Sequence, residues 1–141
     1  MPLVDCIRED VVTASPDERV VEVARMMEDC NVGSVVIERD GCPIGIVTDR
    51  DLAVRVCARN VDPESTSVRD VMTCDPFVVE RNETLWNVMA SAREQGVRRF
   101  PVVDDDRRLV GIVTMDDIVG ILASEMNCVT DIIQASSPSA R

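Results

Sequence analysis

Hydrophobic and polar positions follow the same order twice along this chain. In the first copy, a short apolar run at 11–14 predicts a strand, and apolar residues spaced three and four apart over 20–27 predict a helix. Two further apolar runs, at 34–37 and 44–47, are separated by an Asp-Gly turn and predict a hairpin. A second helix is expected over 48–58, which gives the order β-α-β-β-α.

The second copy repeats this order further along the chain. Strands are expected at 77–79, 97–103 and 109–113, and helices at 82–95 and 114–127. Each copy therefore predicts two helices on one face of a three-stranded sheet, with the other face left for the opposite copy.

A seven-residue block marks the repeat most clearly. Residues 45–51 read GIVTDRD and residues 111–117 read GIVTMDD, an offset of 66 positions. Repetition over most of the chain indicates two related modules. We expect these modules at 5–62 and 70–130, with 131–141 as a flexible tail.

The start of the first helix carries a capping signature. Ser15 is expected to be the N-cap, Pro16 the first helical residue, and Glu18 the return half of a capping box. The helix is expected to end near Asn31 and Gly33, which are typical of chain reversals.

The composition predicts a small α+β protein with an aliphatic core. Of the 141 residues, 45% are hydrophobic and 2% are aromatic. A module of about 60 residues buries only about 60% of its unfolded surface, so each half alone is marginal. We therefore expect the two α/β-type modules to pack together.

The charged residues exclude several classes of function. A net charge of −11 argues against a general nucleic-acid-binding protein, which needs clustered cations. All 15 basic residues are arginine, so no histidine base and no lysine Schiff base is available, and no catalytic residue is assigned. The lack of histidine also argues against a zinc site, and no metal is expected.

Six cysteines are scattered along the chain without a C-x-x-C pair. This distribution is typical of reduced thiols in a cytoplasmic protein, and a disulfide framework is the weaker alternative. No N-terminal apolar signal segment and no apolar run of about 18 residues is apparent, so neither secretion nor a membrane span is expected.

A Thr-x-x-Asp motif lies where a strand meets a helix in each copy, at Thr48/Asp51 and Thr114/Asp117. This spacing is typical of helix capping, which alone explains it. The same geometry suits a ligand, because a helix N-terminus attracts phosphate and a nearby carboxylate accepts hydrogen bonds from ribose hydroxyls. The motifs taken alone leave both interpretations open.

The residues around the second motif resemble a known family. A helix is followed by VRRFPVVDD at 97–105 and LVGIVTMDDI at 109–118, and the order occurs twice. This arrangement resembles the CBS (cystathionine β-synthase) domain, and the two copies resemble a CBS pair, or Bateman module, over residues 5–130. The resemblance implies two sheets packed face to face about a pseudo-two-fold axis, with two clefts that bind adenosine-containing ligands.

The resemblance also implies which residues line each cleft. The strands of one copy would hold the adenine, and the Thr-x-x-Asp motif of the other would lie at the ribose, with Asp117 and Asp51 accepting hydrogen bonds from its hydroxyls. Thr114 and Thr48 would lie near the ribose or the α-phosphate. The first cleft would contain Val12, Val32, Gly33, Ser34, Arg98, Arg99, Thr114, Asp116 and Asp117. The second cleft would contain Ser34, Thr48, Arg50, Asp51, Phe77, Val97 and Arg98.

The copies differ at the positions expected near phosphate. Arg98 and Arg99 correspond to a Gly-Ser pair in the first copy, and two guanidiniums beside a helix N-terminus can form forked phosphate contacts. The alternative is that they form surface ion pairs with the acidic turn at 104–106. For Arg50, a solvated position and a phosphate contact are equally compatible with the sequence. We expect the first cleft to bind nucleotide more tightly.

Three classes of function compete. The favoured one is a regulatory module that senses AMP, ADP, ATP or a related adenosyl compound, such as NADH or S-adenosylmethionine, and acts on a separate effector protein. A structural assembly module without nucleotide is the alternative, and an enzyme is disfavoured. We also expect a homodimer, disc-like as is common for CBS pairs, formed through apolar residues of the last helix. These residues are Ile118, Val119, Ile121, Leu122 and Met126.

Overall fold

The predicted order β-α-β-β-α is confirmed in both copies by a computed structural model, which describes residues 3–138. The first copy contains β1 (Thr13–Ala14), α1 (Val20–Cys30), β2 (Ser34–Arg39), β3 (Cys42–Thr48) and α2 (Asp49–Leu52), which continues as a π-helical segment (Ala53–Cys57). The second half contains β4 (Thr73–Cys74), β5 (Val79–Glu80), α3 (Leu85–Gln95), β6 (Arg99–Val103), β7 (Leu109–Thr114) and α4 (Met115–Ser136). Short 3-10 helices precede each half at Leu3–Cys6 and Val68–Asp70.

Each copy builds its own hydrophobic core between its sheet and its helices. In the first sheet, of order β1-β2-β3-β4, the cross-strand pair Val35 and Val47 is buried in one core. In the second sheet, of order β5-β6-β7, the corresponding pair Phe100 and Val113 is buried in the other. Both cores are mainly aliphatic, as the composition predicts, and the second also contains Phe100 with Phe77 packed against it.

The opposite faces of the two sheets pack against each other. Side chains alternate along a strand, so Val36 and Ile46 point away from the first core and Pro101 points away from the second. All three are nevertheless buried. The Leu109 amide donates to the Gly41 carbonyl (2.9 Å), which joins the hairpin turn of one copy to a strand of the other. The result is the expected α+β sandwich of two modules.

The segment that precedes each copy crosses to the sheet of the opposite copy. Arg8 and Ile112 exchange two backbone hydrogen bonds of 2.9 Å, and Leu3 and Cys6 are buried in the second core. In the same way, β4 pairs with β3 of the first sheet. The sequence did not predict these pairings, because they involve too few residues for a periodic pattern. They interlock the two modules.

The predicted start of the first helix at Ser15 is wrong. α1 begins at Val20, and no side chain caps it. The amides of Val20 and Val21 donate instead to the carbonyls of Thr66 and Pro63, at 2.9 and 3.0 Å. The linker between the copies folds back over the helix start and satisfies these donors, so a capping box is not needed there.

Two other helix boundaries differ from the prediction. α3 begins at Leu85, three residues late, because Thr84 is the N-cap and its hydroxyl accepts from the Asn87 amide (3.2 Å). α4 continues to Ser136 instead of ending at 127, so the flexible tail expected from residue 131 is wrong up to that point. Residues 139–141 of that tail lie outside the described residues.

α4 is a long and largely apolar helix. Among the helices of residues 3–138, it alone has a length and composition that would allow it to cross a membrane. Every residue from 122 to 136 is exposed. Ile118 is fully buried in the second core and Ile121 packs against it, so neither is available for self-association as the sequence analysis expected.

Candidate functional site

A cavity of about 630 Å³ lies between the two copies. It brings together every residue predicted for the first cleft except Arg98, and it adds six that were not predicted. The predicted lining residues are Val12, Val32, Gly33, Ser34, Arg99, Thr114, Asp116 and Asp117. The additional ones are Arg8, Asp10, Val11, Cys30, Asn31 and Ile112.

Two chain reversals position the walls of this cavity. On one side, α1 ends at Asn31 in the left-handed conformation (φ 51°), which turns the chain through Val32 and Gly33 into β2. On the other side, β7 ends at Thr114, whose hydroxyl accepts from the Asp117 amide (3.1 Å) and caps α4. The N-terminal end of α4 therefore borders the cavity, where the helix dipole favours negative charge.

The Asp117 carboxylate is incompletely bonded. Its Oδ2 atom is buried and has no hydrogen-bond partner among the described residues. Its Oδ1 atom lies 4.0 Å from Nη1 of Arg8, which the crossing N-terminal segment brings to the site. The carboxylate thus retains an acceptor that the folded chain does not use.

The corresponding carboxylate in the first copy is fully engaged. Oδ2 of Asp51 accepts from the Thr48 amide (2.9 Å), and the Thr48 hydroxyl accepts from the Asp51 amide (3.1 Å), which completes a capping box. Arg55 lies 3.5 Å from Asp51 and donates to the Val71 carbonyl (2.8 Å). Both motifs have the same sequence pattern, but helix capping alone explains only the Thr48/Asp51 motif.

The two arginines of the second copy have different surroundings. A Cβ atom added to Gly33 would lie 3.2 Å from Nη2 of Arg99, so the guanidinium faces the wall formed by the first copy. Arg98 instead donates to Oδ1 of Asp116 (3.0 Å) with both side chains 76% exposed, and such a pair contributes little to stability. Within the described chain, neither arginine pairs with the acidic turn at 104–106.

Neither of the two cavities described here contains the whole set of residues predicted for a second cleft. Ser34 lines the first cavity, and Phe77 lines a separate cavity of about 250 Å³ within the second copy. Val97 packs against the second core. Neither cavity includes Thr48, Arg50 or Asp51. A second cleft with this composition stays a prediction, in which the capping box and Arg55 already engage the Asp51 carboxylate expected to face a ligand.

Four of the six unpredicted lining residues divide into two groups. Cys30 and Asn31 directly precede the predicted Val32, so the chain reversal there was a usable signal. Arg8 and Ile112 meet only because the N-terminal segment crosses to the other copy, and no local pattern indicates such a contact.

The cavity has a nearly balanced set of charges. Arg8 and Arg99 face Asp10, Asp116 and Asp117, and Asp116 is held by Arg98. Among residues 3–138, no group of three or more Cys, Asp or Glu side chains is arranged to hold a metal ion. The arrangement suits a neutral or weakly charged ligand with hydroxyl donors.

The CBS domain family model matches the chain twice, at residues 4–57 and 68–124. The chain is 41% identical over 116 residues to protein MK0525 of Methanopyrus kandleri, covering 81% of this chain and 59% of that relative. It is 33% identical over 114 residues to the CBS domain-containing protein YhcV of Bacillus subtilis, covering 81% and 80%.

A solved structure with the same fold has adenosyl ligands. The CBS domain pair of protein MJ0100, crystallised in complex with 5′-methylthioadenosine and S-adenosyl-L-methionine, matches with a TM-score of 0.78. It is 27% identical, and the match covers 86% of this chain and 99% of that one. The two β-α-β-β-α copies, their interlocked sheets and the double family match show that this chain belongs to the CBS domain family, with two CBS domains in tandem.

Proposed function

We propose that this CBS pair is a regulatory module that binds an adenosine-containing ligand in the cavity around Asp117 and acts on a separate effector protein. The observation that carries the proposal is the buried Oδ2 atom of Asp117, which has no hydrogen-bond partner within residues 3–138. Leaving a buried acceptor unsatisfied costs about 1–3 kcal/mol. A ribose hydroxyl in the cavity would donate to the Asp117 carboxylate, whose side chain lines the cavity and is 28% exposed.

The remaining walls suit the other parts of an adenosine compound. Val12, Val32 and Ile112 offer an apolar surface to a base, and Arg8 and Arg99 offer donors to a phosphate. The bound ligands of the MJ0100 pair are adenosyl compounds without phosphate. Since three carboxylates balance the arginines here, the proposed ligand is AMP or a phosphate-free adenosyl compound in preference to ADP or ATP.

Calorimetry on matched variants tests this function. Purified wild-type chain would be titrated with AMP, ADP, ATP, NADH, S-adenosylmethionine and 5′-methylthioadenosine, and the best ligand would be repeated on Asp117→Ala and Asp51→Ala. Hydrogen bonds to charged groups contribute about 1.5–3 kcal/mol, so Asp117→Ala is expected to weaken binding about 10- to 150-fold. Asp51→Ala is expected to bind normally, since the capping box engages Asp51. Equal losses of ligand affinity in the two variants would contradict the expected difference between the two copies.

A structural assembly module is the second candidate. The observation that favours it is the exposed apolar surface of α4, which includes Val119, Met126 and Ile132 at 60%, 64% and 68% exposure. Failure of all six compounds to bind would leave assembly as the function. Under either function we expect a homodimer and a cytoplasmic location. The expected dimer is disc-like, as is common for CBS pairs.

A further inference from the structure

The cavity of about 250 Å³ within the second copy takes no part in the proposed function. It shares no lining residue with the cavity around Asp117, and Phe77 is its one member from the set predicted for a second cleft. Its walls come from β5, the first half of α3 and the turn between β6 and β7. At about 30 Å³ per water molecule, this volume holds about eight groups of that size. The cavity therefore suits a ligand much smaller than an adenosine compound.

The inner surface of this cavity is apolar. Val79 and Val88 are 5% and 1% exposed and belong to the second core. Phe77 packs against the same core, with its ring centre 5.8 Å from that of Phe100. Such a surface favours an aliphatic group on the ligand.

The outer part of the cavity carries opposite charges that do not pair with each other. Glu80 and Arg107 both line the cavity and are exposed, and neither forms an ion pair within residues 3–138. Glu83 is already engaged, because its Oε1 atom accepts from the side-chain amide of Asn87 (2.8 Å) and from the Thr84 backbone amide (3.2 Å). One guanidinium and one carboxylate thus remain available to a ligand that carries both charges.

The backbone of Arg107 has a conformation that favours glycine. Its φ is 65°, in the left-handed region that residues with a Cβ atom rarely adopt. The repeat offset of 66 aligns Arg107 with Gly41 of the first copy, whose φ is 79°. Glycine adopts this conformation without steric cost, so the second copy has an arginine where its turn favours glycine. Strained positions of this kind are typical of functional sites, and here the side chain lines the cavity.

We propose that this cavity binds a small aliphatic α-amino acid. The ligand carboxylate would accept forked hydrogen bonds from Arg107, and the ligand ammonium would pair with Glu80. Its side chain would lie on the apolar inner surface. A simple anion would meet the repulsion of Glu80, and a simple cation that of Arg107, so the cavity favours a zwitterion. The proposal goes beyond adenosyl binding and gives the module a second, separate ligand site.

Calorimetry of the full chain with L-leucine tests the proposal. Arg107→Gly removes the guanidinium and gives the turn its favoured residue, whereas Arg107→Gln and Glu80→Gln each remove one charge. Arg93→Gln is the matched control, since Arg93 is exposed on α3 and lines neither cavity. We expect L-leucine to bind the wild type and Arg93→Gln equally, and the three cavity variants about ten-fold more weakly or worse. Arg107→Gly should unfold at the wild-type temperature or above it, which separates a lost contact from a lost fold.

Two ligand analogues examine the two charges separately. Isocaproate lacks the ammonium and L-leucinamide lacks the carboxylate, so each should bind the wild type about ten-fold more weakly than L-leucine or worse. Absence of saturable L-leucine binding overturns the proposal, and isocaproate binding as tightly as L-leucine assigns the cavity to simple anions. Unchanged affinity in the Arg107 variants places the ligand elsewhere, and a lower unfolding temperature of Arg107→Gly makes the arginine a structural residue. Titration with adenosyl compounds is independent of these outcomes, because the two cavities share no residue.

Discussion

The two Thr-x-x-Asp motifs should respond oppositely to the same substitution in the ligand-free protein. Asp51→Ala removes the carboxylate that accepts from the Thr48 amide (2.9 Å) and leaves that amide unpaired. Loss of a helix cap costs about 0.5–2 kcal/mol, so we expect a destabilisation of about 1 kcal/mol.

Asp117→Ala removes a carboxylate whose Oδ2 atom is buried and accepts no hydrogen bond from the part of the chain that the structure describes. Relief of that unsatisfied acceptor contributes about 1–3 kcal/mol. Loss of the favourable charge at the start of α4 offsets about 0.3–1 kcal/mol of this gain. We therefore expect Asp117→Ala to be at least as stable as the wild type without ligand.

Thermal unfolding with and without ligand measures both effects. For a chain of this size, 1 kcal/mol corresponds to a Tm change of roughly 3–5 °C, so the two variants should separate clearly. At about 100 times Kd, a ligand stabilises the folded protein by about 2.7 kcal/mol, and only Asp117→Ala should lose this increment. The reasoning is refuted if Asp117→Ala unfolds as early as Asp51→Ala without ligand, because Asp117 would then be a structural cap.

Three further predictions concern the cavity and the segment that crosses to it. Gly111→Ala should destabilise the chain by about 1–3 kcal/mol in urea unfolding, because its Cβ would lie 2.8 Å from the Arg8 carbonyl; an unchanged midpoint would contradict the interlocked arrangement. Gly33→Ala should weaken ligand binding several-fold in calorimetry with little loss of stability, because Arg99 must move away from the new Cβ; wild-type affinity would exclude Arg99 from the site. Burial, and then the negative charges of Asp5 and its other acidic neighbours, raise the pKa of the Cys6 thiol above its ordinary value. The folded state therefore holds this proton more tightly than the unfolded chain does, and the stabilisation present at neutral pH should be lost as the pH rises through the alkaline range. Cys6→Ala should flatten that decline in a pH series of urea unfolding, and an unchanged decline would count against this assignment.

Much of the fold could be predicted from local pattern. The apolar spacing over 20–27 predicts α1, and the Asp-Gly turn predicts the first hairpin. Both signals are local, because helix and hairpin hydrogen bonds join residues close in sequence. The start of α1 was mispredicted because the hydrogen bond there is not local. The Val20 amide donates to the Thr66 carbonyl, which lies in the distant linker.

The candidate site was predictable where it coincides with chain reversals. Gly33 and Thr114 lie at such reversals in their own copies, and the family resemblance placed them in one cleft, where the structure brings them together. Arg8 was missed because a crossing of the N-terminal segment, which no short-range pattern encodes, carries it there. Arg98, which the resemblance placed in the same cleft, precedes β6 and donates to Asp116, and it does not line the cavity.

The sequence by itself determined that two β-α-β-β-α modules occur and that each places a Thr-x-x-Asp motif at the start of a helix. It also indicated that the copies are unequal, through the arginine pair of the second. Only the tertiary structure decided which carboxylate caps its helix and which retains a free oxygen. The reason is physical: Asp51 turns back to its own Thr48 amide, whereas Asp117 borders a cavity and lies beside Arg8, a residue more than 100 positions away in the chain.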